Sequence, residues 1–139
     1  MQPIDVDIAI VVKAGQVLIC QRHADVPLGG YWEFPGGKRK PDETSAECAI
    51  REVREEVGLL VRPYLELPGI EHAYPHGLVR LHAHVCHHLS GEARPLACQQ
   101  TKWVHVPTLD RYTFPPANTR LIEQVIEHVE SFNAGARPS

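Results

Sequence analysis

The chain lacks any excess of positive charge: Lys and Arg number 14 against 17 Asp and Glu, a formal net charge of -3 over 139 residues. Proteins that bind duplex DNA draw their affinity from neutralised phosphates, so no nucleic-acid polymer is expected as a partner. A small phosphorylated ligand stays open, because a cation can bridge two negative partners. No apolar run reaches membrane-spanning length, so no membrane partner is expected. The opening stretch, residues 1–12, has no positive n-region and no cleavage-like site, and no signal peptide is expected. Cys20, Cys48, Cys86 and Cys98 form no C-x-x-C pair. Such spacing points to reduced thiols in a cytoplasmic protein. The histidines include His82 and His84 on one strand face, yet no Cys/His spacing supports a zinc site. Repeats and low-complexity linkers are also missing, and nothing in the sequence sets an oligomeric state.

What is present suffices for one packed domain, since 43% of the residues are hydrophobic. Ile4, Val6, Ile8 and Ile10 alternate as in a strand. A turn at Lys13–Gln16 with Gly15 at positive φ should return the chain into a strand over Val17–Arg22. Residues 31–34 read as a short strand ending at the turn Pro35-Gly36-Gly37. Thr44 and Glu47 match a capping box, and Gly58 suits a left-handed helix end, so a helix is predicted between them. Strands follow over 78–86 and 101–106, then a helix over 119–132. The expected fold is α/β (α+β mixed), one layered domain over residues 1–132, with a frayed tail at 133–139.

The first helix carries an unusual concentration of acids. At about 100° per residue, Glu52, Glu55 and Glu56 share an arc of roughly 100°. Ala46, Ala49, Ile50, Val53 and Val57 occupy the adjoining arc, so the acids abut the packed face. A solvated acidic face would favour alternating signs. Like charges at i,i+3 and i,i+4 instead cost about 0.2–0.5 kcal/mol per pair, and more beside a core, where screening is poorer. A hard divalent cation resolves the conflict, since Mg2+ takes oxygen ligands and shares its shell with water and substrate phosphate. Gly36 and Gly37 permit a close backbone approach, leaving the Gly37 carbonyl available to the same cation. Lys38 and the helix N-terminus can meet phosphate. Trp32 and Phe34 flank Glu33; one is expected in the core and the other free to pack on a base.

Gly37, Glu43 and the run Arg51-Glu52-Val53-Arg54-Glu55-Glu56-Val57-Gly58-Leu59 fit G-x5-E-x7-R-E-U-x-E-E-x-G-U, U being aliphatic, at every fixed position. The chain therefore resembles the Nudix hydrolases. The resemblance implies a mixed sheet between helices, an α/β/α sandwich, and cleavage of a nucleoside diphosphate linked to another group with Mg2+ or Mn2+. It implies metal binding by Glu52, Glu55, Glu56 and the Gly37 carbonyl, with Glu43 and Arg51 supporting the loop and helix around them.

Residues 19–38 and the segment Phe114–Asn118 are similar to the MutT branch of that family. The likeness implies phosphate contact by Arg22 and reading of an oxidised guanine by Asn118, although Asn118 equally suits the cap of the last helix. The implied small-molecule nucleotide substrate is 8-oxo-dGTP, with CTP or a modified pyrimidine triphosphate as the alternative. One position departs from the pattern. Many relatives place a glutamate six residues before the tryptophan matched by Trp103, where this chain has Ala97. That leaves the general base unassigned and keeps a non-catalytic nucleotide-binding module as a further reading.

Overall fold

The computed structural model describes residues 2–136, with side chains through 129. Strand β1 (Ile4–Lys13) turns through Ala14 and Gly15, both at positive φ, into β2 (Gln16–Gln21). Positive φ at both central residues suits the twist of a two-residue hairpin loop. Then come β3 (Trp32–Glu33), β4 (Gly36–Lys38), helix α1 (Ser45–Val57), β5 (Leu60–Glu66), β6 (Ile70–Tyr74), β7 (Gly77–Ser90) and β8 (Gln100–His105). Short 3-10 turns at Val106–Arg111 and Pro116–Asn118 lead into α2 (Thr119–Ala136). The tail expected at 133–139 starts within the span of α2, and residues 137–139 lie outside the described residues.

All eight strands join one mixed sheet whose central path runs β3-β2-β1-β7-β5. β1 and β7 are parallel, with Asp7 opposite His82 and Ala9 opposite His84. The other pairings are antiparallel. Successive strand residues face opposite sides, and β1 shows what each side meets. Ile8 and Ile10 pack with Leu121, Val125 and Val129 of α2. Ala9 and Val11 pack with Ala49, Val53 and Val57 of α1. The result is the expected α/β/α sandwich, with both faces of β1 covered.

α1 begins as the sequence predicts. Thr44 Oγ1 accepts from the Glu47 amide (3.1 Å), and the Glu47 carboxylate accepts from the Thr44 amide (2.8 Å). Gly58 ends the helix at φ 76°, donating its N–H to the Arg54 carbonyl. The structure adds β5 and β6, which the sequence reading does not contain, and differs from it at two further places. The segment Gly36–Lys38 is a strand, pairing with Val6–Ile8 of β1. Trp32 and Phe34 both pack against the α2-side core. Phe34 is buried in that core, while Trp32 is half-buried against it with its ring edge-on to that of Tyr112.

Candidate active site

The pairing of β4 with β1 carries Gly37 beneath α1. A Cβ on Gly37 would lie 2.6–2.7 Å from the Glu52 carboxylate atoms, so that carboxylate occupies space only glycine leaves. Glu56, one turn along, accepts a hydrogen bond from the Gly36 amide at 3.1 Å. Burial, together with a hydrogen bond and the charge from Glu52, holds the Glu56 carboxyl well above the usual carboxylate range. Glu52 and Glu56 thus form a close acidic pair at the end of β4.

Arg51 organises the remaining acids. Its Nε and Nη2 make a two-pronged contact with Glu43, and Nη1 donates to Glu52 (2.9 Å) and Glu55 (3.2 Å). Nη2 also donates to the Lys38 carbonyl at 3.3 Å. The hydrogen bonds from Arg51, joined by one from the Lys40 amide, pull the Glu43 carboxyl down to about 2. One guanidinium therefore ties the loop before α1 to the acidic edge of that helix. Cys48 lies under the same loop, its thiol donating to the carbonyls of Gly37 (3.7 Å) and Lys38 (3.6 Å).

Among the described residues, no three His, Cys, Asp or Glu side chains gather into a ready metal cage. Arg51 holds Glu52 and Glu55, while Glu56 turns to the Gly36 amide. The donor set nevertheless fits a hard divalent cation. It consists of carboxylate oxygens, with a close Glu52–Glu56 pair whose mutual repulsion a cation relieves. Glu52, Glu55, Glu56 and the Gly37 carbonyl are the groups that would hold it.

A cavity of about 180 Å3 opens beside Glu56, lined by Cys20, Arg22, Glu33, Ala97 and Cys98 among others. Arg22 donates to both Glu33 carboxylate oxygens (3.1 and 3.2 Å) and to the Pro27 carbonyl (2.9 Å). Ala97 is anchored there by its amide on the Glu56 carbonyl at 3.2 Å. The substitution that departs from the family pattern therefore faces the acidic site itself. The Lys38 side chain is exposed.

Phe34 is 6% exposed, its ring 5.3 Å from that of Phe114, so the core takes up the face expected to be open to a base. Asn118 is half-buried at the end of the second 3-10 turn. Among the described residues its side chain makes no capping bond; the side-chain bond at that junction runs from Thr119 Oγ1 to the Pro116 carbonyl (3.0 Å).

Sequence reasoning missed a second polar cluster, Asp7, Arg39, Ser45 and His84, at the other end of β4. Its signal was an acid at position 7 in a strand otherwise apolar on both faces from Ile8 to Val12.

The NUDIX domain family matches residues 8–124. The chain is 30% identical over 123 residues to the CTP pyrophosphohydrolase of Escherichia coli K12, covering 88% of this chain and 91% of that one. It is 29% identical over 118 residues to the 8-oxo-dGTP diphosphatase of Haemophilus influenzae, covering 85% and 87%. The crystal structure of a MutT NUDIX hydrolase from Burkholderia pseudomallei superposes with a TM-score of 0.79 at 25% identity, over 90% of this chain and 99% of that one. A match over most of the chain, meeting the box residues where they converge on Arg51 and Gly37, establishes that this chain belongs to the Nudix hydrolases, in their MutT-like branch.

Proposed function

We propose that the protein is a metal-dependent nucleoside triphosphate pyrophosphohydrolase. It takes a nucleoside triphosphate and water to a nucleoside monophosphate and pyrophosphate. Water adds to the β-phosphorus, the bond from that phosphorus to the bridging α-oxygen breaks, and the monophosphate leaves. The observation that carries this reading is the Glu52–Glu56 pair held against Gly36 and Gly37. Mg2+ or Mn2+, when bound, supplies charge for the phosphates and for the negative charge that develops on their oxygens.

The chain's own residues do the rest. Arg51 fixes the end of β4, through the Lys38 carbonyl, and the loop before α1, through Glu43, against that helix. Lys38 and Arg22 supply cations for the phosphates, Arg22 from the cavity beside Glu56. Its planar fork suits phosphate oxygens as well as the Glu33 carboxylate that holds it here. Asn118 presents an amide that both donates and accepts to a purine edge. Phe34 backs that segment through Phe114.

The first substrate is 8-oxo-dGTP, supported by the Asn118 amide, which makes no side-chain hydrogen bond among the described residues; nucleotide-pool sanitation, and so the avoidance of DNA damage, is the role of this reading. CTP is the second reading, favoured by the extent of the likeness to the Escherichia coli enzyme. The four cysteines are free thiols, which supports a reducing, cytoplasmic setting. Among the described residues no helix is long and apolar enough to cross a membrane.

Pyrophosphate release from 8-oxo-dGTP, dGTP, CTP and modified pyrimidine triphosphates, with kcat/KM for each, tests both readings. The highest kcat/KM is expected for 8-oxo-dGTP. A CTP optimum selects the second reading, and turnover of none of them refutes both.

A further inference from the structure

Asp7 is fully buried on the row of β1 that faces α1, where its neighbours Ala9 and Val11 are buried and apolar. An apolar side chain would fill that row at no charge-burial cost, and buried ion pairs are weak evidence for stability. Yet every partner of Asp7 lies on an element of the active site. Arg39, just past Lys38, donates Nε to Oδ2 and Nη2 to Oδ1, both at 2.9 Å. Ser45, the first residue of α1, donates its hydroxyl to Oδ1 at 2.6 Å. His84 Nε2 lies 2.6 Å from the same Ser45 oxygen. The Ser45 proton is spent on Asp7, so His84 Nε2 carries the proton and donates. The Asp7 residue itself pairs with Gly37 in the β1–β4 register.

We propose that Asp7 is a positioning residue for the metal-holding half of the site. Through Arg39 it fixes the strand that presents the Gly37 carbonyl, and through Ser45 the helix that presents Glu52, Glu55 and Glu56. The separation of those two sets of oxygens is set at Asp7. The inference rests on the functional reading above and adds to it a residue outside the Nudix box. Groups that orient metal ligands from one layer out commonly change metal affinity about 10–100-fold when replaced.

The test is Mn2+ affinity without nucleotide, read from the electron paramagnetic resonance signal of free Mn2+, beside kcat and KM. Asp7→Asn is expected to bind Mn2+ at least about tenfold more weakly, with kcat reduced and the nucleotide KM little changed. Ser45→Ala, which leaves the Asp7–Arg39 pair intact, is expected to weaken Mn2+ by a smaller factor, and Ser45→Thr to restore it. Asp5→Asn is the control. It loses contacts to Arg80 (3.1 Å) and His82 (2.8 Å) on the same strand, and should leave Mn2+ affinity unchanged. Wild-type affinity in Asp7→Asn and Ser45→Ala overturns the proposal, as does an equal loss in Asp5→Asn. If Asp7→Asn does not fold, wild-type affinity in Ser45→Ala overturns it alone. A wild-type protein that takes up no Mn2+ overturns the functional reading itself, a result distinct from any of these.

Discussion

Replacing Gly37 by Ala should cripple the enzyme and barely touch its stability, while the same change one residue earlier should do the reverse in stability. The added Cβ at Gly37 would stand 2.7 Å from both Glu52 carboxylate oxygens. Comfortable contact begins near 3.5 Å, so the carboxylate must retreat by roughly 0.8 Å. That group is the far end of a flexible side chain, and the retreat strains no backbone. Active-site groups tolerate displacements of about 0.5 Å, and a misplacement near 1 Å costs about 100-fold in rate. Gly37→Ala should therefore lower kcat about 100-fold, about 2.7 kcal/mol of barrier, with an almost unchanged melting temperature.

At Gly36 the Cβ would meet the Asp7 carbonyl oxygen at 2.5 Å and Ile8 Cα at 2.9 Å, both backbone atoms of β1. β4 would have to part from β1, at a cost of about 1–3 kcal/mol and a melting temperature lower by roughly 4–10 °C. Steady-state kinetics and thermal unfolding of the two variants decide the matter. A Gly37→Ala protein with wild-type kcat, or one destabilised as much as Gly36→Ala, refutes the placement of Glu52 against Gly37.

Three further outcomes are expected. Glu52→Gln should fold normally and lose at least about 100-fold in kcat; wild-type turnover removes Glu52 from the chemistry. Asn118→Ala should erode the preference for 8-oxo-dGTP over dGTP with stability changed by less than about 0.5 kcal/mol, whereas a loss near 1 kcal/mol with preference intact assigns it to capping. Burial lowers the His84 pKa below its ordinary 6.5, so the folded state holds the ring neutral while the unfolded chain takes up a proton as pH falls through 6.5. His84 then contributes its full stability above that pH and less below it. The destabilisation caused by His84→Gln, measured by urea unfolding, should shrink between pH 7.5 and pH 5, and growth over that range contradicts the assignment.

The parts of the fold legible in the sequence were those set by local chemistry. Thr44, Glu47 and Gly58 mark the ends of α1 because capping bonds form within a few residues. The acidic arc of Glu52, Glu55 and Glu56 was readable because helical spacing fixes which side chains are neighbours. Long-range pairing was not readable. β5 contains Pro63 and a register shift around it, so its pattern lacks strand alternation. Gly36–Lys38 has the composition of a turn and becomes a strand only because β1 offers an edge at Val6–Ile8. Asp7 had no assigned role in the sequence, because its partners Arg39 and Ser45 lie 32 and 38 residues away and meet it only when α1 docks. Arg51 was expected to support the loop around the box through family likeness; that it grips three carboxylates and the Lys38 carbonyl at once required the structure.

Calorimetric titration of Mg2+ and Mn2+ into the protein, alone and with a non-hydrolysable nucleoside triphosphate, bears most directly on why one helical edge gathers so many acids. Saturable uptake that tightens in the presence of nucleotide and is lost in Glu52→Gln is the predicted result. Absence of uptake of either ion, with or without nucleotide, would contradict the account.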